Sequence, residues 1–213
     1  SGARSDLERA LRLNPGDAYT HYLHAMFLLA PTGQLREAVG ALQRATELDP
    51  LRPVYWSSLG TLYNATGQLD LARAAFERSL EISLEHDYGI EGLAVTSLLE
   101  GQPAKALDTS RRSGNEVGRL LLAAVAEGDL GREREARQAL ESLASRFADG
   151  RAYTIAAAHA WRGDGDKAFA WLDRALAQRD SGLLELGYDP LLRRIHGDPR
   201  WKALLKKMNL PVE

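Results

Sequence analysis

A glycine followed five residues later by an alanine recurs along this chain: Gly33 and Ala38, Gly67 and Ala72, Gly101 and Ala106, Gly131 and Ala136, Gly163 and Ala168. Successive alanines lie 34, 34, 30 and 32 residues apart. Self-similarity at that period marks one supersecondary unit repeated in tandem. Each turn carries glycine or proline punctuation, as in "PTGQ", "EGQP" and "RGDGD". The pattern predicts five helix pairs: 17–30 with 34–48, 53–65 with 69–82, 86–99 with 103–112, 116–127 with 132–146, and 150–162 with 166–178. Pro103 suits a first helical turn, where no N–H is needed.

Residues 56–80, "WSSLGTLYNATGQLDLARAAFERSL", show the residue types the unit requires. Gly60, Ala72 and Ala38 are small because helix axes approach closely there. A larger side chain would overpack the contact, at a cost of about 1–3 kcal/mol. Trp56, Tyr63 and Phe76 fill the space between one pair and the next. No pair can bury its apolar face alone, so the pairs must stack.

Trp56, Leu59, Gly60, Tyr63, Ala72 and Phe76, with Tyr22, Ala38, Leu42, Ala45 and Pro50 one period earlier, resemble the tetratricopeptide repeat (TPR) motif. The resemblance is strong over 19–112 and looser beyond. It implies an all-α, right-handed superhelical solenoid of antiparallel helix pairs with a C-terminal capping helix. The repeats would span 17–52, 53–86, 87–115, 116–148 and 149–180, after a half repeat at 5–16 and before a cap at 181–213. The implied function is a protein–protein interaction scaffold that binds a peptide or helix in a concave groove lined by the first helix of each pair. Counted along the motif, that lining is Leu23, Phe27, Ser57, Thr61, Asn64, Glu91, Val95, Leu121, Val125, Tyr153 and Ala157. TPR domains that clamp the acidic carboxyl tails of chaperones place Lys and Asn at the fifth and ninth motif positions. Here Leu23/Phe27, Ser57/Thr61, Glu91/Val95, Leu121/Val125 and Tyr153/Ala157 occupy them, so that clamp is missing. A weakly polar, partly apolar groove suits an amphipathic helix or apolar segment, from another protein or from another region of its own full-length protein.

Both ends depart from the period. "LERALRLNPGD" at 7–17 mirrors "LQRATELDPLR" at 42–52, which reads as the second helix of a repeat and as part of a longer protein. "RDSGLLELGYDPLLRRIHGDPRWKALLKKMNLPVE" breaks the pattern and carries two Asp-Pro helix starts, at Asp189 and Asp198. Trp201, Leu204, Leu205 and Met208 form an apolar stripe that would cover helix 166–178, leaving Lys202, Lys206 and Lys207 outside. This ending is similar to the closing element after TPR arrays in bacterial regulators, cyclases and kinases. The alternative function is therefore a sensory or regulatory C-terminal domain.

Little in the chain points to chemistry. There is no cysteine, which excludes thiol catalysis, disulfides and Cys-based zinc sites. A net charge of −2 gives no basic field for nucleic acid. No apolar run reaches the roughly 18 residues of a membrane span; the lack of cysteine fits the cytoplasm as the expected compartment, with the periplasm the alternative. His21 and His24 share a helical face at a spacing that suits metal, but His86 and His159 lie in other repeats. Asp164-Gly165-Asp166 lacks the glutamate an EF-hand loop needs twelve positions on, where Ala175 stands. Asp166 is expected to cap the following helix. Arg162-Gly163-Asp164 and the sequon Asn64-Ala65-Thr66 fall in repeat turns. Residues 190–213 carry a net charge of +4, read as the polar outside of a capping helix. No catalytic motif emerges, and neither an enzyme activity, a cofactor nor a metal is expected.

Overall fold

The computed structural model describes residues 2–212. α1 (Gly2–Leu13) precedes five antiparallel pairs. These are α2 (Ala18–His24) with α3 (Leu35–Leu48), α4 (Pro53–Ala65) with α5 (Leu69–Ile82), α6 (Asp87–Leu99) with α7 (Pro103–Ser110), α8 (Glu116–Asp129) with α9 (Glu133–Phe147), and α10 (Ala152–Trp161) with α11 (Gly165–Gln178). Two short 3-10 segments follow, Ser181–Glu185 and Pro190–Ile195, and then α12 (Pro199–Lys207).

The sequence explains where the helices start and stop. Asp17 and Asn115 cap α2 and α8, their side-chain oxygens accepting from Thr20 N–H and Val117 N–H. Asp164, not Asp166, caps α11 by accepting from Lys167 N–H, while Asp166 pairs with Arg200 at 2.9 Å. The first helix of each pair ends on a glycine with φ between 73° and 79°. The next N–H reaches back five residues, as Gln68 N does to Tyr63 O at 2.9 Å. That closure needs a left-handed residue, so glycine recurs with the period.

Two helices differ from the periodic expectation. Between Asp17 and Gly33 the chain has one residue more than between Arg52 and Gly67. A π-helical turn, Ala25–Leu29, absorbs it, with Ala30 N–H bonded to Ala25 O. α7 ends at Ser110 rather than 112 because the chain turns inward. Ser113 Oγ lies 2.9 and 2.8 Å from the Asp87 and Glu91 carboxylates and shares its one proton between them, and Gly114 N–H donates to Asp87 at 2.6 Å.

The core is built by aromatic wedges between pairs. Phe76, fully buried on α5, lies between α4 and the next pair's α6. A Cβ on Gly60 would stand 2.8 Å from its ring, and one on Gly92 would overlap it. Both glycines are therefore room for one phenyl group rather than sites of helix–helix contact as such.

The largest departure is at the C-terminus. α12 caps α11 as the stripe predicts: Trp201, Leu204 and Leu205 are buried, Arg200 lies over the Phe169 ring at 4.4 Å, and Lys207 pairs with Asp173. Residues 181–195, however, cross the inner face of the array. Leu183, Leu186, Leu191, Leu192 and Ile195 join the core of the last three pairs, while Tyr188 joins that of the first two. Arg193 donates to the carbonyls of Asn64 and Ala65 at 3.3 and 2.6 Å. Arg194 donates to Trp161 O and stacks over its ring. The segment lies flat because Gly182 has no side chain: a Cβ there would come within 2.5–2.9 Å of Tyr153.

Two stability predictions follow from this packing. Gly92→Ala should destabilise by about 1–3 kcal/mol through overpacking, and Phe76→Leu in the same chain should recover part of the loss; additive losses in thermal melts would contradict the wedge. Arg179 ends α11 in the left-handed region, at φ 54°. Arg179→Gly should gain up to about 1 kcal/mol, since left-handed conformations cost non-glycine residues about 1–2 kcal/mol; a lower denaturation midpoint would count against this.

Candidate functional site: a chamber on the inner face

The first helices of all five pairs, α2, α4, α6, α8 and α10, face a common space that residues 180–191 partly fill. A chamber of about 530 Å³ remains between them. Nine of the eleven sequence-predicted groove residues line it: Phe27, Ser57, Thr61, Asn64, Glu91, Val95, Leu121, Tyr153 and Ala157. Leu23 does not. The π turn shifts the register of α2 by one residue, so counting back 34 from Ser57 stops one residue short, and Tyr22 takes the lining position instead. Val125 does not either; it is fully buried in the core that α8 and α10 share with residues 181–195.

The lining residues are not equally free. Asn64 is buried, accepting from Thr96 Oγ at 3.1 Å, with its carbonyl bonded to Arg193. Tyr153 is buried under the crossing segment. Its N–H donates to Asp180 at 2.9 Å and its hydroxyl to Asp189 at 3.0 Å. Glu91 accepts from Ser113, and burial raises its pKa despite that bond. Phe27 and Tyr88 are 51% and 70% exposed, and they mark the open side. Tyr22 packs edge-on against Phe27 and 5.4 Å from the Tyr55 ring.

The crossing segment brings carboxylates that motif counting could not find. Asp180 caps its first 3-10 turn through Gly182 N–H, and Asp189 caps the second through Leu191 N–H. Burial pushes Asp189 up, against the pull of the Leu191 N–H, the Tyr153 hydroxyl and Arg193. Glu185 lines the chamber with its side chain exposed to solvent, and pairs with no described residue. Desolvation first, then the charges of Asp189 and Asp180, raise its pKa to about 7. Burial and neighbouring charge push the Tyr153 and Tyr188 phenols far up.

One pairing invites a catalytic reading. Ser57 Oγ lies 3.0 Å from His86 Nε2. The Ser57 hydroxyl also lies 3.1 Å from Val54 O, so its single proton has two acceptors within reach, and the tautomer of His86 sets the direction of their contact. Burial lowers the His86 pKa and keeps the ring neutral. Asp87, its neighbour, is committed to Ser113 and Gly114. His21 Nε2 is 3.0 Å from Pro15 O, and no group of three or more acidic or histidine ligands gathers for a metal among the described residues. No helix among them is long and apolar enough to cross a membrane.

Glu185 yields a pH prediction with a definite sign. Its unfolded pKa is near 4.5 and its folded value about 7, so between these the folded chain holds a proton that the unfolded chain has released. Stability through this group is full below the lower value and is lost as pH rises through the higher one. Glu185→Gln should melt above the parent protein at about pH 8, with the gap closing toward pH 5. Other groups titrate in both proteins, so the difference isolates Glu185; equal melts at both pH values would contradict the assignment.

Comparison with known proteins agrees with the geometry. Residues 54–86 match the family model for the tetratricopeptide repeat. No curated protein sequence matches the chain. Among solved structures, it is similar to YrrB, a TPR protein with an unusual peptide-binding site: 21% identity, TM-score 0.51, over 84% of this chain and 95% of that one. It is also similar to the APC/C hetero-tetramer Cut9–Hcn1, at 17% identity and TM-score 0.56 over 97% of this chain. There the chain spans 42% of the matched chain's length. With one tetratricopeptide repeat matched by sequence at residues 54–86 and the same paired helices before and after it, the chain has the fold of a right-handed tetratricopeptide-type solenoid.

Proposed function

We infer that the protein is a protein-interaction scaffold whose inner chamber receives a peptide segment of its partner. The observation that carries this reading is the chamber itself. Residues 181–195 cover much of the inner face, yet about 530 Å³ stays open beside exposed Phe27 and Tyr88. Exposed aromatics at the rim of a concave site are the usual anchors of recognition. The likeness to a peptide-binding TPR protein points the same way. The space suits an extended segment or a few side chains. A whole amphipathic helix, about 10 Å across with its side chains, would have to displace buried Leu186 and Tyr188.

Random heptapeptides displayed on phage and selected on the full chain test this. Thr154 lines the chamber and is half-buried, so Thr154→Trp fills space without removing a core group. Enriched peptides should bind the parent protein and lose at least tenfold in affinity for Thr154→Trp, with folding checked by circular dichroism. Peptides indifferent to that change would place the binding face elsewhere.

A further inference from the structure

A second cavity, of about 310 Å³, shares no lining residue with the chamber. It lies where the C-terminal tail meets the first pair. Its walls come from opposite ends of the chain: the turn between α2 and α3 on one side, and Gly187, His196 and the α12 region on the other. The two ends touch beside it. A Cβ on Gly187 would stand 3.4 Å from Pro31 O, and Tyr188 is buried among the first two pairs. The chain leaves α12 through Asn209 in the left-handed region, at φ 54°, and Leu210 N–H reaches back to Leu205 O at 2.9 Å. That closure lets Leu210 and Pro211 line the cleft instead of running on. The volume is at the small end for ligand cavities, and the build is theirs: mostly apolar walls with a few placed polar groups.

The polar side chains gather on the tail side. His196 stacks on Trp201 with 4.2 Å between ring centroids, and Lys202 is the next residue along α12. Trp201 is 6% exposed, yet its indole N–H bonds to no described residue. Ser79 Oγ is the one fully buried polar side-chain atom without a partner among the described residues, so the Trp201 N–H is open to water. Lys202 is exposed and, unlike Lys207 with Asp173, has no ion-pair partner among the described residues. An indole N–H and an ammonium can only donate, and no lining residue is acidic. A neutral hydrocarbon would leave these donors unused. A doubly charged phosphate would find one lysine and no arginine in the lining. One negative charge on an apolar body matches both walls.

We propose that this cleft binds a small apolar monocarboxylic acid, its body against Leu35, Leu205 and Leu210 and its carboxylate on the Trp201 N–H and Lys202. The site is separate from the chamber and does not rest on the peptide reading.

Octanoate and phenylacetate are the probes, with octanol and phenylethanol as uncharged counterparts. Each is titrated into the isotope-labelled full chain while NMR follows the indole N–H resonances. The Trp201 resonance is identified by its loss in Trp201→Phe. At least one acid should shift it saturably, with a midpoint of about 1 mM or below, a strength so small a ligand can reach. Its alcohol should bind more weakly by about fivefold or more, since hydrogen bonds to a charged acceptor are the stronger ones. Lys202→Met should weaken the acid severalfold and leave the alcohol unchanged, while Lys206→Met, outside the lining, should alter neither. Gly187 is exposed, and a Cβ there makes only ordinary contact. Gly187→Leu should therefore fill the cleft and abolish the shift, with the fold checked by circular dichroism. A Trp201 resonance that neither acid moves, acid and alcohol binding alike, or an acid indifferent to Lys202→Met would overturn the proposal. So would a tripeptide ending in leucine with a free carboxylate that binds here far more tightly than either acid, since the cleft would then be a peptide site.

Discussion

Each helix pair in this chain carries more apolar surface than its two helices can hide from water, and everything else follows from that shortage. The surplus of one pair is covered by the next, so Phe76 of α5 is buried only because α6 offers Gly92 beside it. Stacking solves the problem along the array and leaves it open at the end. α12 closes the outer end over α11. Residues 181–195 do something the repeats do not require. They carry apolar side chains back across the inner face and seat Tyr188 among residues of the first two pairs. The inner face is thereby converted from an open trough into a bounded chamber.

The fold was legible because its determinants repeat. A left-handed turn residue and a small residue five places on recur because the same steric demand recurs, and a period can be counted without knowing what it means. The local exceptions were less visible. The extra residue between Asp17 and Gly33 is present in the numbering, but nothing in the composition of "AMFLL" marks a π turn rather than a longer helix. The early end of α7 reflects bonds from Ser113 and Gly114 to α6, a tertiary effect that overrides local helix preference.

The candidate site divides along the same line. Positions that inherit the repeat, such as Thr61, Val95 and Leu121, face the chamber where motif counting puts them. Leu23 misses by one residue because the π turn changes the phase of α2. The groups that set the chamber's charge come from "DSGLLELGYDP", which has no helical or strand period to read. Its turns are too short to show a face, and its direction across the array depends on partners 27 to 129 residues away. The acidic caps at Asp180 and Asp189 are recognisable in sequence as turn starters, but not as neighbours of one another.

A solenoid built only of neighbour contacts behaves as a one-dimensional chain, in which melting can begin at either end and spread unit by unit. The bonds from Arg193 to Asn64 and Ala65 join residues about 128 positions apart and make a loop of that line. The last unit then cannot open without unseating the second, and the second cannot loosen without freeing the tail. Closing such a loop costs chain entropy that adjacent repeats never incur, so assembly is slowed at its final step. What the loop gives in return is cooperativity: an array of parts that would otherwise fray separately becomes a molecule that keeps or loses its interior as a whole.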